Sequence, residues 1–187
     1  PTAASGPVTG SYPVVWIRVS YTDNSTTVWT RDTLQQGANE MTTFFRNLSY
    51  GQLEVPITVR EAALPNNVAH YWHTCPGDPA HKCQEHVVED AAARVIADGS
   101  SFAGVKTVMI INPCGIETDF TEPGDVHITG TGFDVWVHQT MDFECGSSNP
   151  NPPGPSGVWW SSWAHELGHT IQLQGHNLFD HPAGYAS

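Results

Sequence analysis

Positive charge is scarce in this chain. Seven Lys and Arg stand against nineteen Asp and Glu among 187 residues, for a formal net charge of -12. A surface of that sign repels phosphate backbones, so nucleic acid is not an expected partner. Long apolar runs are also missing. The segment Val14 to Val19 falls far short of the roughly 20 residues that cross a bilayer, and no membrane span is expected. Charged residues of both signs reach only 14%, so surface polarity must come largely from Ser, Thr, Asn and Gln. What is present is a globular composition with 39% hydrophobic residues. The length suits one compact domain with a real core, and no internal repeat or second domain is evident over residues 1–187.

Cysteine is limited to Cys75, Cys83, Cys114 and Cys145. An even count in a Lys-poor, Trp-rich chain points to an oxidising compartment and a secreted, extracellular protein. Of the three pairings that four cysteines allow, the expected one joins Cys75 to Cys83 across "CPGDPAHKC" and Cys114 to Cys145. No signal peptide precedes Pro1, which reads as the start of a mature or trimmed form. The triplets Asn24-Ser-Thr and Asn47-Leu-Ser are compatible with glycosylation in a eukaryotic source, although such triplets arise easily by chance.

Along the chain, "YPVVWIRVSYTD" is dense in β-branched and aromatic residues and reads as a buried strand. "TRDTLQQGANEMTTFFRNLSY" has helical spacing, with Leu34, Ala38, Met41, Phe45 and Leu48 on one face. "QLEVPITVREA" is a second strand in which Pro56 implies an edge position or a bulge. Residues 64–82 are punctuated by Pro and Gly and read as a loop. "CQEHVVEDAAARVIADGSSF" is an amphipathic helix stopped by Gly99, and "VKTVMIINPCG" reads as a central strand. Two short extended pieces follow in "DVHITGTGFDVWVHQTMDF". The loop "GSSNPNPPGPSG" then delivers the chain to a last helix, "VWWSSWAHELGHTIQL". The order predicts an α/β layout, a mixed sheet with helices packed on it.

That last helix carries His-Glu-x-x-His. Residues four apart share a helix face, so His165 and His169 can aim two imidazoles at one Zn2+ ion. Glu166 lies one step round, near enough to act as general base on a water beside the metal. The flanking residues are uncharged, which suits a helix buried on one side; incidental histidines on a plain helix are the blander reading. Catalytic zinc needs a third protein ligand. No Glu follows Glu166, which leaves His176, Asp180 and His181, with a free surface loop as the bland alternative for all three. On an unbroken helix His176 would lie about 16 Å beyond His165, out of reach of the same ion. The helix must therefore break, and Gly175 permits the turn. His176 is preferred, ahead of Asp180 and His181.

"HELGHTIQLQGH" resembles the metzincin zinc-peptidase signature, His-Glu-x-x-His-x-x-Gly-x-x-His, and "AHELGHT" is similar to secreted peptidases of the gametolysin and immune inhibitor A groups. "FFRNLSYGQLEV" also resembles a helix-to-strand segment of those proteins. The resemblance implies a zincin-like catalytic domain, α+β in class, in which His165, His169 and His176 bind zinc and Glu166 is the general base. Gln172 stands where the signature has Gly, and His176 comes one residue later than its third His. The family's methionine turn lies downstream of the third ligand. Met41, Met109 and Met141 all lie upstream, so the expectation is a chain that ends before that turn.

Other constellations carry less. His70, His73, His81 and His86 surround the first two cysteines, but no zinc spacing fits and a disulfide-closed loop explains the cysteines better. Glu117, Asp119, Glu122 and Asp125 offer hard oxygen ligands to Ca2+ without the spacing of a recognised loop, so a solvated turn is the simpler reading. No Gly-x-Ser-x-Gly elbow supports a serine hydrolase. Trp159, Trp160 and Trp163 read as packing residues rather than a sugar platform, and Tyr185 as a surface residue rather than a hydrogen-bond donor to a reaction intermediate. The expected function is that of a secreted zinc metalloendopeptidase acting on protein or peptide substrate. The alternative is a catalytically inactive zinc-containing binding or adhesion module; a zinc hydrolase acting on glycoproteins is a third reading.

Overall fold

The computed structural model describes residues 9–25, 30–75, 78–83, 87–113, 124–128 and 133–140, together with Trp160, Trp163, Ala164, Leu167, Gly168 and Ile171. For residues 73–75, 78–83, 124–128 and 133–140 the description is of the backbone alone. The architecture is mixed α/β. A five-stranded sheet runs in the order β4-β2-β7-β9-β8, where β2 is Val14–Ser20, β4 Ile57–Ala63, β7 Thr107–Ile111, β8 Gly124–Ile128 and β9 Phe133–Thr140. The first four in that order are mutually parallel, and β8 closes one edge antiparallel to β9.

Chain order explains where the helices lie. Helix α1 (Arg31–Leu48) connects β2 to β4 on one side of it, and α3 (Val87–Ala97) connects β4 to β7 on the other side. Parallel crossovers are right-handed almost without exception, so reversing direction across the sheet puts the two helices on opposite faces. Side-chain alternation matches. Val15, Ile17, Val19, Val108 and Ile110 pack with Val88, Ala91 and Val95 of α3 in one core. Val14, Trp16, Met109 and Ile111 pack with Leu34, Ala38, Met41 and Phe45 of α1 in the other. A strand buried on both faces reads as an uninterrupted apolar run, and β7 is buried at every position.

Helix α1 starts at Thr30, whose hydroxyl accepts the Thr33 N–H at 3.1 Å. Its buried stripe is Leu34, Gly37, Ala38, Met41 and Phe45, while Leu48 is only half-buried. Pro56 does not displace the strand register. The short pair β1 (Gly10–Ser11) and β3 (Leu53–Glu54) keeps the offset of the β2–β4 ladder beyond it, so Pro13 and Pro56 fall opposite each other. Neither proline has an N–H to give, and the Val14 N–H bridges the gap by donating to the Pro56 carbonyl at 2.9 Å. The expected edge position holds among the described residues, where β4, which Pro56 immediately precedes, ends the sheet.

Residues 64–82 depart from the expected loop. They contain α2 (Val68–Tyr71), capped by Asn67, and an antiparallel hairpin of β5 (His73–Cys75) and β6 (Asp78–Cys83). Cys75 and Cys83 sit on its two arms, where Cys75 pairs with Asp78 and Cys83 with His73. Their sulfur atoms, and Cys114 and Cys145, lie outside the described residues. Helix α3 stops at the expected glycine. It ends at Ala97, where Gly99 at φ 92° lets the Ser100 N–H reach back to the Val95 carbonyl and the Gly99 N–H to Ile96.

Candidate metal centre

The histidine-bearing segment is anchored by the residues that alternate with its motif. Trp160, Trp163, Ala164, Leu167 and Ile171 recur three or four apart, and all are buried in the α1 face of the core. The Ala164 N–H donates to the Trp160 carbonyl at 3.0 Å and the Ile171 N–H to Leu167 at 3.1 Å, the i to i-4 bonds of an α-helix. Trp160 and Trp163 are thus packing residues, as expected; Trp159 lies outside the described residues.

Aromatic and hydrogen-bonding contacts of its described residues join this segment to the rest of the molecule. Trp163 meets Trp16 edge to face, with ring centroids 5.0 Å apart, an arrangement worth about 0.5–1.5 kcal/mol beyond area burial. The Trp16 indole in turn donates to the Met109 sulfur at 3.0 Å, tying the pair to the central strand. Trp160 lies against Phe44 at 5.5 Å between centroids and donates its indole N–H to Glu40 Oε2 at 2.7 Å. Gln36 Nε2 donates to Glu40 Oε1 at 2.9 Å, so both carboxylate oxygens are engaged.

The residues proposed for chemistry, His165, Glu166, His169 and His176, lie outside the described residues, as do Asp180, His181 and Tyr185. So do His86, Glu117, Asp119 and Glu122, while Asp125, His73 and His81 are described only by their backbone. His70 is exposed on α2, with its ring edge-on to Tyr71 at 4.9 Å. Among the described residues no three His, Cys, Asp or Glu side chains group to hold a metal ion.

A polar network that sequence reasoning did not anticipate crosses the carboxyl ends of β2 and β7, where the strand order reverses. Tyr21 donates to Asn112 Oδ1 at 2.7 Å and accepts the Trp72 indole N–H at 2.6 Å. Burial pushes the Tyr21 hydroxyl well above its ordinary pKa, and the Trp72 bond offsets only part of that. Next to it, Tyr71 donates to Asp90 Oδ2 at 2.6 Å, and its pKa is pushed up to about 12 by burial first and by that bond second. Asn112 Nδ2 is buried and has no partner among the described residues. The signal for Asn112 was present: it is the polar residue that ends the most apolar run of the chain. No such signal pointed to Glu40.

Comparison with known protein families and with curated proteins finds no match.

Proposed function

We propose that the protein is a secreted, zinc-dependent endopeptidase with a metzincin-like, zincin-type catalytic domain. One observation carries this reading: the helical burial of Trp160, Trp163, Ala164, Leu167 and Ile171 against α1 and the sheet. A regular helix with that buried stripe would carry positions 165 and 169 on its opposite flank, neighbours across one turn. Two metal-binding imidazoles on a rigid, docked helix need that disposition. The donor set fits zinc, whose catalytic sites take imidazole and carboxylate and leave one position open. His165 and His169 would be the first two ligands and His176 the third. A mixed sheet with helices on both faces is compatible with the domain that the resemblance implies.

A bound zinc supplies Lewis acidity that polarises a scissile carbonyl. The protein's own part begins with Glu166, which takes a proton from the attacking water and hands it to the leaving amine. An edge of the sheet would hold extended peptide by backbone pairing; its edge strands are β4 and β8. The test is Glu166→Ala. It should keep stoichiometric zinc by elemental analysis and lose hydrolysis of an unstructured protein substrate. Unchanged turnover in that variant would remove Glu166 from the reaction, and no stoichiometric zinc in supplemented wild-type protein would overturn the whole reading.

A further inference from the structure

The cavity under the amino ends of β2 and β4, at the opposite end of the strands from the Tyr21–Asn112 network, has a volume of about 180 Å³. Its polar lining includes Thr58, Arg60, Ser100 and Ser101, and Val15 and Phe102 form part of its apolar wall. We propose that it binds a small oxyanion, a carboxylate or inorganic phosphate, with Arg60 as the charged anchor. The proposal does not depend on zinc.

Arg60 has five N–H donors. Nε gives one to Ser100 Oγ at 3.0 Å and Nη1 gives one to the Val59 carbonyl at 2.9 Å, which leaves the rest of the fork uncommitted. Ser100 Oγ is used as an acceptor, so its own proton is still to be donated. Ser101 Oγ likewise accepts the Ala103 N–H at 3.1 Å and retains its proton. Arg60, Ser100 and Ser101 thus line one cavity with donors to spare, and among the described residues no carboxylate lines it. Arg18, Arg46 and Arg94 each face a carboxylate, on Glu61, Glu54 and Asp98. Arg60 is half-buried and has no carboxylate within ion-pair reach among the described residues, in a chain whose acids far outnumber its bases. A partly desolvated guanidinium gains most from an oxyanion bound side-on.

The serines are held in place. Gly99 stops α3 in the left-handed region, and its paired back-bonds fix the turn from which Ser100 and Ser101 emerge. The volume admits a ligand of acetate or phosphate size and not a nucleotide. The overall negative charge opposes anions at long range, so affinity must come from these direct contacts and should be weak.

Titrating sodium acetate and sodium phosphate separately into the full chain, at constant ionic strength, and following 1H–15N correlation spectra tests this. Saturable shifts of the Arg60 Nε–H and of the Ser100 and Ser101 amides are expected. Whichever salt saturates at the lower concentration identifies the ligand as carboxylate or phosphate. Arg60→Gln should weaken binding at least about tenfold, and Ser101→Ala should weaken it severalfold with the spectrum otherwise unchanged. If Arg60→Gln fails to fold, Ser101→Ala alone decides. Shifts that stay linear with both salts in the wild-type protein, or saturation unaltered by these substitutions, would overturn the proposal.

Discussion

The indole N–H of Trp160 is held by Glu40, a residue of α1 lying 120 positions earlier in the chain. This bond and the Trp163–Trp16 contact help to dock the segment of Trp160, Trp163, Ala164 and Leu167 on the core. Glu40→Ala would leave the N–H of a nearly buried tryptophan without its acceptor, at a cost of about 1–2 kcal/mol. Glu40→Gln keeps a carbonyl that can accept and should lie close to wild type. Urea denaturation reads the stability difference. Competition with a zinc indicator reads the second effect: several-fold weaker zinc binding in Glu40→Ala, restored in Glu40→Gln. Equal zinc affinity in all three proteins would show that the contact supports the fold and not the metal site.

A second prediction concerns the turn after α1. Tyr50 has φ 53°, in the left-handed region that non-glycine residues enter at a cost, and its side chain is 93% exposed. Its N–H closes the helix on the Asn47 carbonyl at 3.1 Å, and the Gly51 N–H reaches the Arg46 carbonyl at 2.7 Å. Almost no side-chain burial offsets the backbone cost. Tyr50→Gly should therefore raise stability by up to about 1 kcal/mol, and the denaturation midpoint should move upward without a change in slope. A lower midpoint would mean that the tyrosine ring makes a stabilising contact.

Much of the fold could be read from the chain, and the failures share a cause. The α1 stripe from Leu34 to Phe45 and the buried run of β7 are apolar patterns long enough to fix an element and its face. Pro56 correctly marked an edge, although only pairing could reveal that Pro13 faces it and keeps the register intact. The β5–β6 hairpin is not legible in the sequence because "HTC" and "DPAHKC" have no apolar alternation; backbone pairing makes them strands. The same division applies to the candidate site. The spacing of His165, Glu166 and His169 and the packing role of Trp160 and Trp163 are local features of the sequence. The grip of Glu40 on Trp160 and of Arg60 on Ser100 joins distant positions and leaves no periodic trace.

Alkaline pH should weaken the protein through Tyr71. Its hydroxyl has a pKa near 12 in the folded chain against an ordinary 10.0, because burial and the bond to Asp90 disfavour the phenolate. A raised folded pKa stabilises the native state fully below the unfolded value. That stability is lost as pH rises through about 10 towards 12, where the unfolded chain gives up the proton first. Tyr21 is shifted in the same direction and adds to the loss. Chemical denaturation at several pH values should show stability falling across that window, with a shallower fall in Tyr71→Phe. An unchanged slope in that variant would place the alkaline transition elsewhere.

The third metal ligand separates two versions of the proposed centre. If a kink at Gly175 brings His176 to the ion, His176→Ala should reduce zinc affinity by an amount comparable to His165→Ala or His169→Ala, whereas Asp180→Ala and His181→Ala should leave it near wild type. Ligand deletion acts on the metal directly, so chelator competition is the proper measurement, with circular dichroism to show that each variant folds. The signature places its third histidine at the position of Gly175, one residue earlier, so a retained affinity in His176→Ala has a specific meaning. It would shift the third donor to Asp180 or His181, and the variant with the larger loss of zinc would name it. Removing the metal from wild-type protein should abolish peptide hydrolysis and lower the thermal midpoint, since an ion bound only by the native state stabilises that state. Hydrolysis that survives complete metal removal would leave the histidine pair without a part in the reaction.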